Sequence, residues 1–284
     1  MRYIFMRFPE GKGKAVSFSY DDNAVANKRL SDIMAEYGIK CTFNLNSQKS
    51  NEMFGNMLTV NEAKEYILDR GHEIAVHGVF HKGLGLVRPL EGIKDVLDCR
   101  LELEKDFGVI IRGMAYPDST KMLHGNNWET IKAYLKDLGI VYSRLVGINP
   151  DFDMPEDWLL WTPTASENHP EIYEIAEKFA NLDIHSGYIT GQYPKLFLMS
   201  GHASGFEKKN NWEHFEKICK ILAKRDDTWY ATCMEIYEYT KAYESLVWSA
   251  DSSLVYNPTL FEIWFDVDGR PYSIKSGETR RIED

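Results

Sequence analysis

Cysteine is scarce in this sequence. The 284 residues include four, Cys41, Cys99, Cys219 and Cys233, widely scattered and in no Cys-x-x-Cys pair. That argues against a disulfide framework and a thiolate zinc site, and leaves them as buried apolar fillers. Long apolar runs are also missing. The opening Met1-Arg2-Tyr3-Ile4-Phe5-Met6 meets Arg7 and Pro9 too soon to form the centre of a secretion signal, and no window approaches the ~20 apolar residues of a membrane span. The expectation is a cytoplasmic protein without a membrane partner. Positive charge is not in excess either: 33 Lys and Arg stand against 43 Asp and Glu, a net charge of −10 with no basic stretch, so nucleic acid is not an expected partner. No Gly-x-Gly-x-x-Gly or Walker loop is present, which weakens the case for a nucleotide-binding sheet.

What is present is an ordinary globular composition, 44% hydrophobic and 27% charged, and a regular alternation of strand and helix patterns. Ala15-Val16-Ser17-Phe18-Ser19-Tyr20 reads as a buried strand that ends at Asp21-Asp22-Asn23. Residues 24–37 place Val25, Leu30, Ile33 and Met34 at helical spacing before Gly38, and Cys41-Thr42-Phe43-Asn44-Leu45 follows as a second strand. Thr59-Val60-Asn61-Glu62 is a capping box for a helix to about Arg70, and Glu73-Ile74-Ala75-Val76-His77 is the next strand. Further helices are expected over 89–107, 128–138, 171–180, 212–224 and 234–243. Further strands are expected over 109–116, 140–142 and 196–200, and near Trp229. Alternation of this kind predicts parallel strands with crossover helices, either an open doubly wound sheet or a closed barrel.

From about Leu246 the texture changes to short alternating segments with a turn at Asp268-Gly269, the pattern of a small antiparallel β appendage. The expected division is residues 1–244 for the α/β unit and 245–284 for the appendage. A segment this short packs on the main domain or serves as a homo-oligomer contact.

Polar residues collect where predicted strands end. Asp21 and Asp22 follow the first strand, His77 and His81 the third, Tyr116 and Pro117 the fourth, Arg144 the fifth, and His202 the strand over 196–200. In parallel α/β folds those ends share one face, where ligands bind. One Asp with two His is a ligand set suited to Zn²⁺ or another divalent first-row ion with positions left open.

Ser19-Tyr20-Asp21-Asp22-Asn23 resembles the T-F-D-D-G motif of the polysaccharide deacetylases, the NodB-homology family of carbohydrate esterase family 4. His77-Gly78-Val79-Phe80-His81 is similar to its second motif, H-S/T-x-x-H, and Leu198-Met199-Ser200-Gly201-His202 to its last. The resemblance implies a distorted parallel (β/α) barrel with fewer than eight repeats. It implies that Asp22, His77 and His81 hold a divalent metal, zinc first with cobalt, manganese, nickel or iron as alternates. It further implies that Asp21 is the general base, that His202 is the general acid, and that a carbohydrate or small molecule is N-deacetylated by a metal-bound water. A backbone N–H near Tyr116 would help hold the oxyanion, and Tyr116, Pro117 and Trp161 are candidates to line the substrate pocket.

Two departures qualify the resemblance. Asn23 stands where the first motif has Gly, a position where Asn tolerates left-handed backbone. The third motif, R-P-P-Y/F-G, is represented by Met114-Ala115-Tyr116-Pro117-Asp118, with Ala115 in place of Arg. Arg144 can supply that charge from the next strand, or it can make an ordinary ion pair. Bland readings stay open: Asp21-Asp22 as a helix cap, His77 as a bonded core residue, His81 as a surface turn residue. So do two other functions, hydrolysis of a different linear or cyclic C–N bond and a catalytically inactive carbohydrate-binding module.

Overall fold

Residues 2–47, 57–118 and 120–283 are described in the computed structural model. A short N-terminal strand, β1 (Ile4–Arg7), precedes eight parallel strands: β2 (Lys14–Asp21), β3 (Cys41–Leu45), β4 (Glu73–Val76), β5 (Gly113–Ala115), β6 (Tyr142–Arg144), β7 (Ala165–Ser166), β8 (Lys195–Gly201) and β9 (Thr228–Tyr230). Their order is β6-β5-β4-β3-β2-β8-β7, with β9 beside the first half of β2. The sheet curls until residues 161–166 bridge its two edges: Trp161 exchanges backbone hydrogen bonds with Ser143 of β6 and with Leu145 just past it, and Thr164 donates to Leu198 of β8. The protein is a distorted parallel barrel, closed through this irregular stretch, with β-rich additions at the chain ends.

The strand residues explain the curl. Along β2, Val16, Phe18 and Tyr20 face the helices, while Ala15, Ser17, Ser19 and Asp21 face the barrel interior, the two-residue alternation of a strand. Small and polar inward residues allow a narrow barrel, and the outward apolar ones anchor its coat. That coat includes α1 (Asn27–Tyr37), which buries Leu30, Ile33 and Met34 and stops at Gly38 with φ 67°. The helix opening at the Thr59 box, α2 (Val60–Ala63), is short. It widens into a turn with an i→i+5 bond from Asp69 N–H to the Lys64 carbonyl, and does not run regularly to Arg70 as the pattern suggested. The remaining helices are α3 (Pro89–Phe107), α4 (Trp128–Asp137), α5 (Ile172–Ala180), α6 (Ala203–Lys209), α7 (Trp212–Leu222) and α8 (Cys233–Glu244). The strand expected over 109–116 is confined to three residues, 113–115.

The last segments form β10 (Val247–Trp248), β11 (Leu254–Tyr256), β12 (Ile263–Val267), β13 (Arg270–Ile274) and β14 (Thr279–Arg281). They are antiparallel, as their alternation predicts, but in two separate sheets, β10-β11-β14 and β1-β12-β13. The second sheet takes its third strand from the N-terminus. Phe265, Val267 and Ile274 share one hydrophobic cluster with Leu196, Tyr142 and Ile236, so this layer packs on the barrel and on α8. Within this layer a buried ion pair joins β1 to β12, Arg7 to Asp266 at 2.7 Å.

Candidate active site

The three expected ligands meet above the C-terminal ends of β2 and β4. Ligand atoms of Asp22, His77 and His81 lie within 4.8 Å of one another. His77 Nε2 is 4.0 Å from Asp22 Oδ1, and the two imidazole rings cross nearly edge to face at 4.7 Å. His77 Nδ1 lies 3.0 Å from the Ala115 carbonyl oxygen, which fixes Nδ1 as the protonated nitrogen and leaves the Nε2 lone pair free. Burial pushes the His77 imidazole below its ordinary pKa and keeps it neutral, the form that ligates. Nε2 itself is buried with no hydrogen-bond partner among the described residues. A buried nitrogen without a partner, aimed at a carboxylate and a second imidazole, fits a divalent cation.

Backbone strain, two carboxamides and one carboxylate fix this cluster. Asp22 and His81 both have left-handed backbone, φ 70° and 52°, and Gly78 between the histidines has φ 80°. Asn23 is not the left-handed residue. Its side chain instead exchanges two 2.8 Å bonds with the backbone of Asn46. Asn46 in turn donates to the His77 and Gly78 carbonyls, so the ends of β2, β3 and β4 are clamped together. Asp95 on α3 accepts the Phe80 N–H at 3.0 Å and holds the turn between the two histidines. A Cβ at Gly78 would lie 2.3 Å from Asp95 Oδ2, so the turn needs glycine for space as well as for φ.

Asp21 lies beside this cluster, 6% exposed. Arg144 donates to both of its oxygens, and Asn44 Nδ2 donates to Oδ1 at 2.9 Å. Arg144 also reaches Ser19 Oγ at 3.0 Å, one step down the same inward file of β2. Burial raises the Asp21 pKa, but Arg144, His77 and His202 together outweigh it, and the carboxyl sits below its usual range. The charge that Ala115 does not supply therefore comes from Arg144, across the barrel.

His202 is half exposed and faces both carboxylates, with Nε2 3.9 Å from Asp21 Oδ2 and 3.9 Å from Asp22 Oδ2. Its backbone N–H donates to Glu167 Oε1 at 3.2 Å. Glu167 is buried, its other oxygen has no partner among the described residues, and burial raises its pKa. Neither Glu167 nor the carboxamides of Asn44 and Asn46 carried a sequence signal, because each acts only through contacts between distant strands.

The expected pocket residues fare differently. Trp161 is 2% exposed and packs edge to face on Tyr142 and Trp158, so no ring face is open to a sugar; it is a core residue of the barrel closure. Tyr116 is buried against Trp128, its hydroxyl donates to the Leu159 carbonyl, and its N–H donates to the Arg144 carbonyl. The Tyr116 N–H is thus committed to the sheet and is not free for an oxyanion. Pro117 is buried and has no N–H, so the next backbone donor is that of Asp118, an exposed residue with φ 60°.

Residues 9–143 match the family model described as polysaccharide deacetylase, which bears out the resemblance carried by the motifs. A solved protein from Mycobacterium smegmatis, assigned as a polysaccharide deacetylase, is 18% identical with a TM-score of 0.57, over 86% of this chain and 96% of that one. The Xyl-CE4 domain of a multidomain xylanase, from the hindgut metagenome of Trinervitermes trinervoides, is 15% identical with a TM-score of 0.51, over 81% and 92%. Both likenesses are of fold. No curated protein matches the chain.

Proposed function

We propose that this chain, with its polysaccharide deacetylase match over residues 9–143, is a metal-dependent hydrolase that removes the N-acetyl group of an amino sugar or a related small molecule. The observation that carries the reading is the unpartnered, buried His77 Nε2 facing Asp22 and His81. Asp22, His77 and His81 would hold the ion, with zinc first among the candidates on the chemistry of the donor set. When bound, such an ion supplies Lewis acidity to a carbonyl and lowers the pKa of water.

The chain's own residues divide the proton work. Asp21 is held ionised by Arg144 and takes the proton lost by the attacking water. His202, open to solvent and within reach of both carboxylates, gives a proton to the departing nitrogen, since an amine leaves poorly as an anion. The products are acetate and a free amine. Arg144 and Asn44 act through Asp21: they fix its orientation, with Oδ2 3.9 Å from His202 Nε2. With the Tyr116 N–H given to the Arg144 carbonyl, the backbone donor we propose for the developing oxyanion is the next one along the chain, that of Asp118.

Acetate release from N-acetylglucosamine, measured before and after chelation and after zinc or cobalt is restored, tests this reading. Loss on chelation and recovery with the ion are expected. Undiminished release from chelated protein would overturn the reading.

A further inference from the structure

The three expected ligands are not held alike. The Asp22 N–H donates to the Asn44 carbonyl at 3.1 Å, the His77 N–H donates to the Leu45 carbonyl at 3.0 Å, and His77 Nδ1 donates to the Ala115 carbonyl. His81 has no such tie. It lies past the end of β4, and neither its N–H nor its ring forms a hydrogen bond to another described residue. The edge-to-face contact with His77 and the turn over residues 78–81 set where its imidazole stands, and that turn holds left-handed backbone at both ends.

The turn is held from α3. Asp95 Oδ1 accepts the N–H of Phe80, the residue directly before His81, at 3.0 Å, and the Asp95 side chain is buried. The helix that carries it is itself fixed against the strand ends: Val96, Cys99 and Leu103 are fully buried, and Cys99, one turn beyond Asp95, donates to the Leu45 carbonyl at 3.5 Å. Space for the carboxyl exists because residue 78 is glycine. A Cβ there would lie 2.3 Å from Asp95 Oδ2, on a backbone with φ 80°. The motif that this segment resembles, H-S/T-x-x-H, has Ser or Thr at that position. On this backbone the chain can have that side chain or Asp95, and it has Asp95.

We propose that Asp95 is a positioning residue of the metal site: it fills the space left by the absent side chain at 78 and, through the Phe80 N–H, fixes the one ligand that has no hydrogen bond of its own, His81. The inference rests on the reading of Asp22, His77 and His81 as ligands, and its readout is binding of the ion, which does not need turnover. Zinc affinity of the full chain is measured by competition with a chromophoric chelator. Asp95→Ala should lower it about 10- to 100-fold, the usual worth of a group that orients a metal ligand. Asp95→Asn, whose carboxamide oxygen can still accept the Phe80 N–H, should keep it. In a His81→Ala chain, Asp95→Ala should cost no further affinity, because the ligand it positions is gone. Urea midpoints of the metal-free chains separate this effect from a loss of fold. Should Asp95→Ala not fold, Asp95→Ser, too short to hold the Phe80 N–H, reads the same coupling. Natural zinc affinity in Asp95→Ala, or an equal loss with and without His81, would overturn the proposal alone. A natural chain with no zinc affinity would overturn the ligand reading and the proposal together.

Discussion

Arg144 grips both carboxylate oxygens of Asp21 from 123 positions away in the chain, across the barrel interior. The contact puts a positive charge beside a carboxyl group whose own strand end supplies none, and it keeps that group ionised against burial. Arg144→Met should lower acetate release by about 100-fold or more, since an acid–base group is worth roughly 10²–10⁴ in rate. It should also move the acid limb of the pH–rate profile upward. The sign follows from the environment: without Arg144 the burial that raises the Asp21 pKa acts with less opposition. An unchanged acid limb in an active Arg144→Met protein would show that Asp21 does not depend on this partner.

Glu73 lies at the opposite end of the barrel, where Thr42 and Tyr142 hydroxyls and the Met234 N–H all donate to it. Burial nevertheless raises its pKa from 4.5 to about 7. The folded chain therefore keeps a proton that the unfolded chain has released between those values, so the contribution of this group to stability is largest below the window and falls as pH rises through it. Urea midpoints should decline between about pH 5 and about pH 8. Glu73→Gln should flatten that decline; an equal slope in the variant would assign it to other groups.

Arg7 and Asp266 join the two ends of the chain in a pair that is almost fully buried. Asp266→Ala leaves a buried guanidinium uncompensated and should cost about 3–5 kcal/mol in chemical denaturation. A chain ended after Glu244 should fare worse, because it uncovers Leu196, Tyr142 and Ile236 as well as stranding Arg7. A stable, soluble truncated chain would show that the barrel does not need its C-terminal layer.

Gly201 allows the carboxyl of Glu167 to approach the strand that presents His202. A Cβ there would lie 1.3 Å from Glu167 Oε2. Gly201→Ala should destabilise the protein by about 1–3 kcal/mol, and Glu167→Ala in the same chain should recover most of the loss, a coupling read from a double-mutant cycle. Additive losses would mean that the two positions do not meet.

The features legible in the sequence were those written locally. The alternation along Ala15–Tyr20, the glycine after α1 and the Asp and His residues at strand ends all sit within one element and its turn, where a period of two or 3.6 suffices to place them. Pairings between distant segments were not legible. Nothing near residues 4–7 announces that they complete a sheet with 263–267, and Arg144 offered a charge without saying which carboxylate would receive it. Trp161 misled because an aromatic after a strand looks the same whether it lines a pocket or, as here, closes a barrel. Asn44, Asn46, Asp95 and Glu167 are ordinary polar residues until the fold places them against the site.

The central claim is that Asp22, His77 and His81 hold one catalytic divalent ion. Metal content by mass spectrometry, paired with acetate release, for the natural chain and for Asp21→Asn and His77→Ala, tests it most directly. The account predicts one bound ion with activity in the natural chain, a retained ion without turnover in Asp21→Asn, and loss of both in His77→Ala. A natural chain that releases acetate with no divalent ion bound, or a His77→Ala chain that keeps both ion and activity, would contradict it.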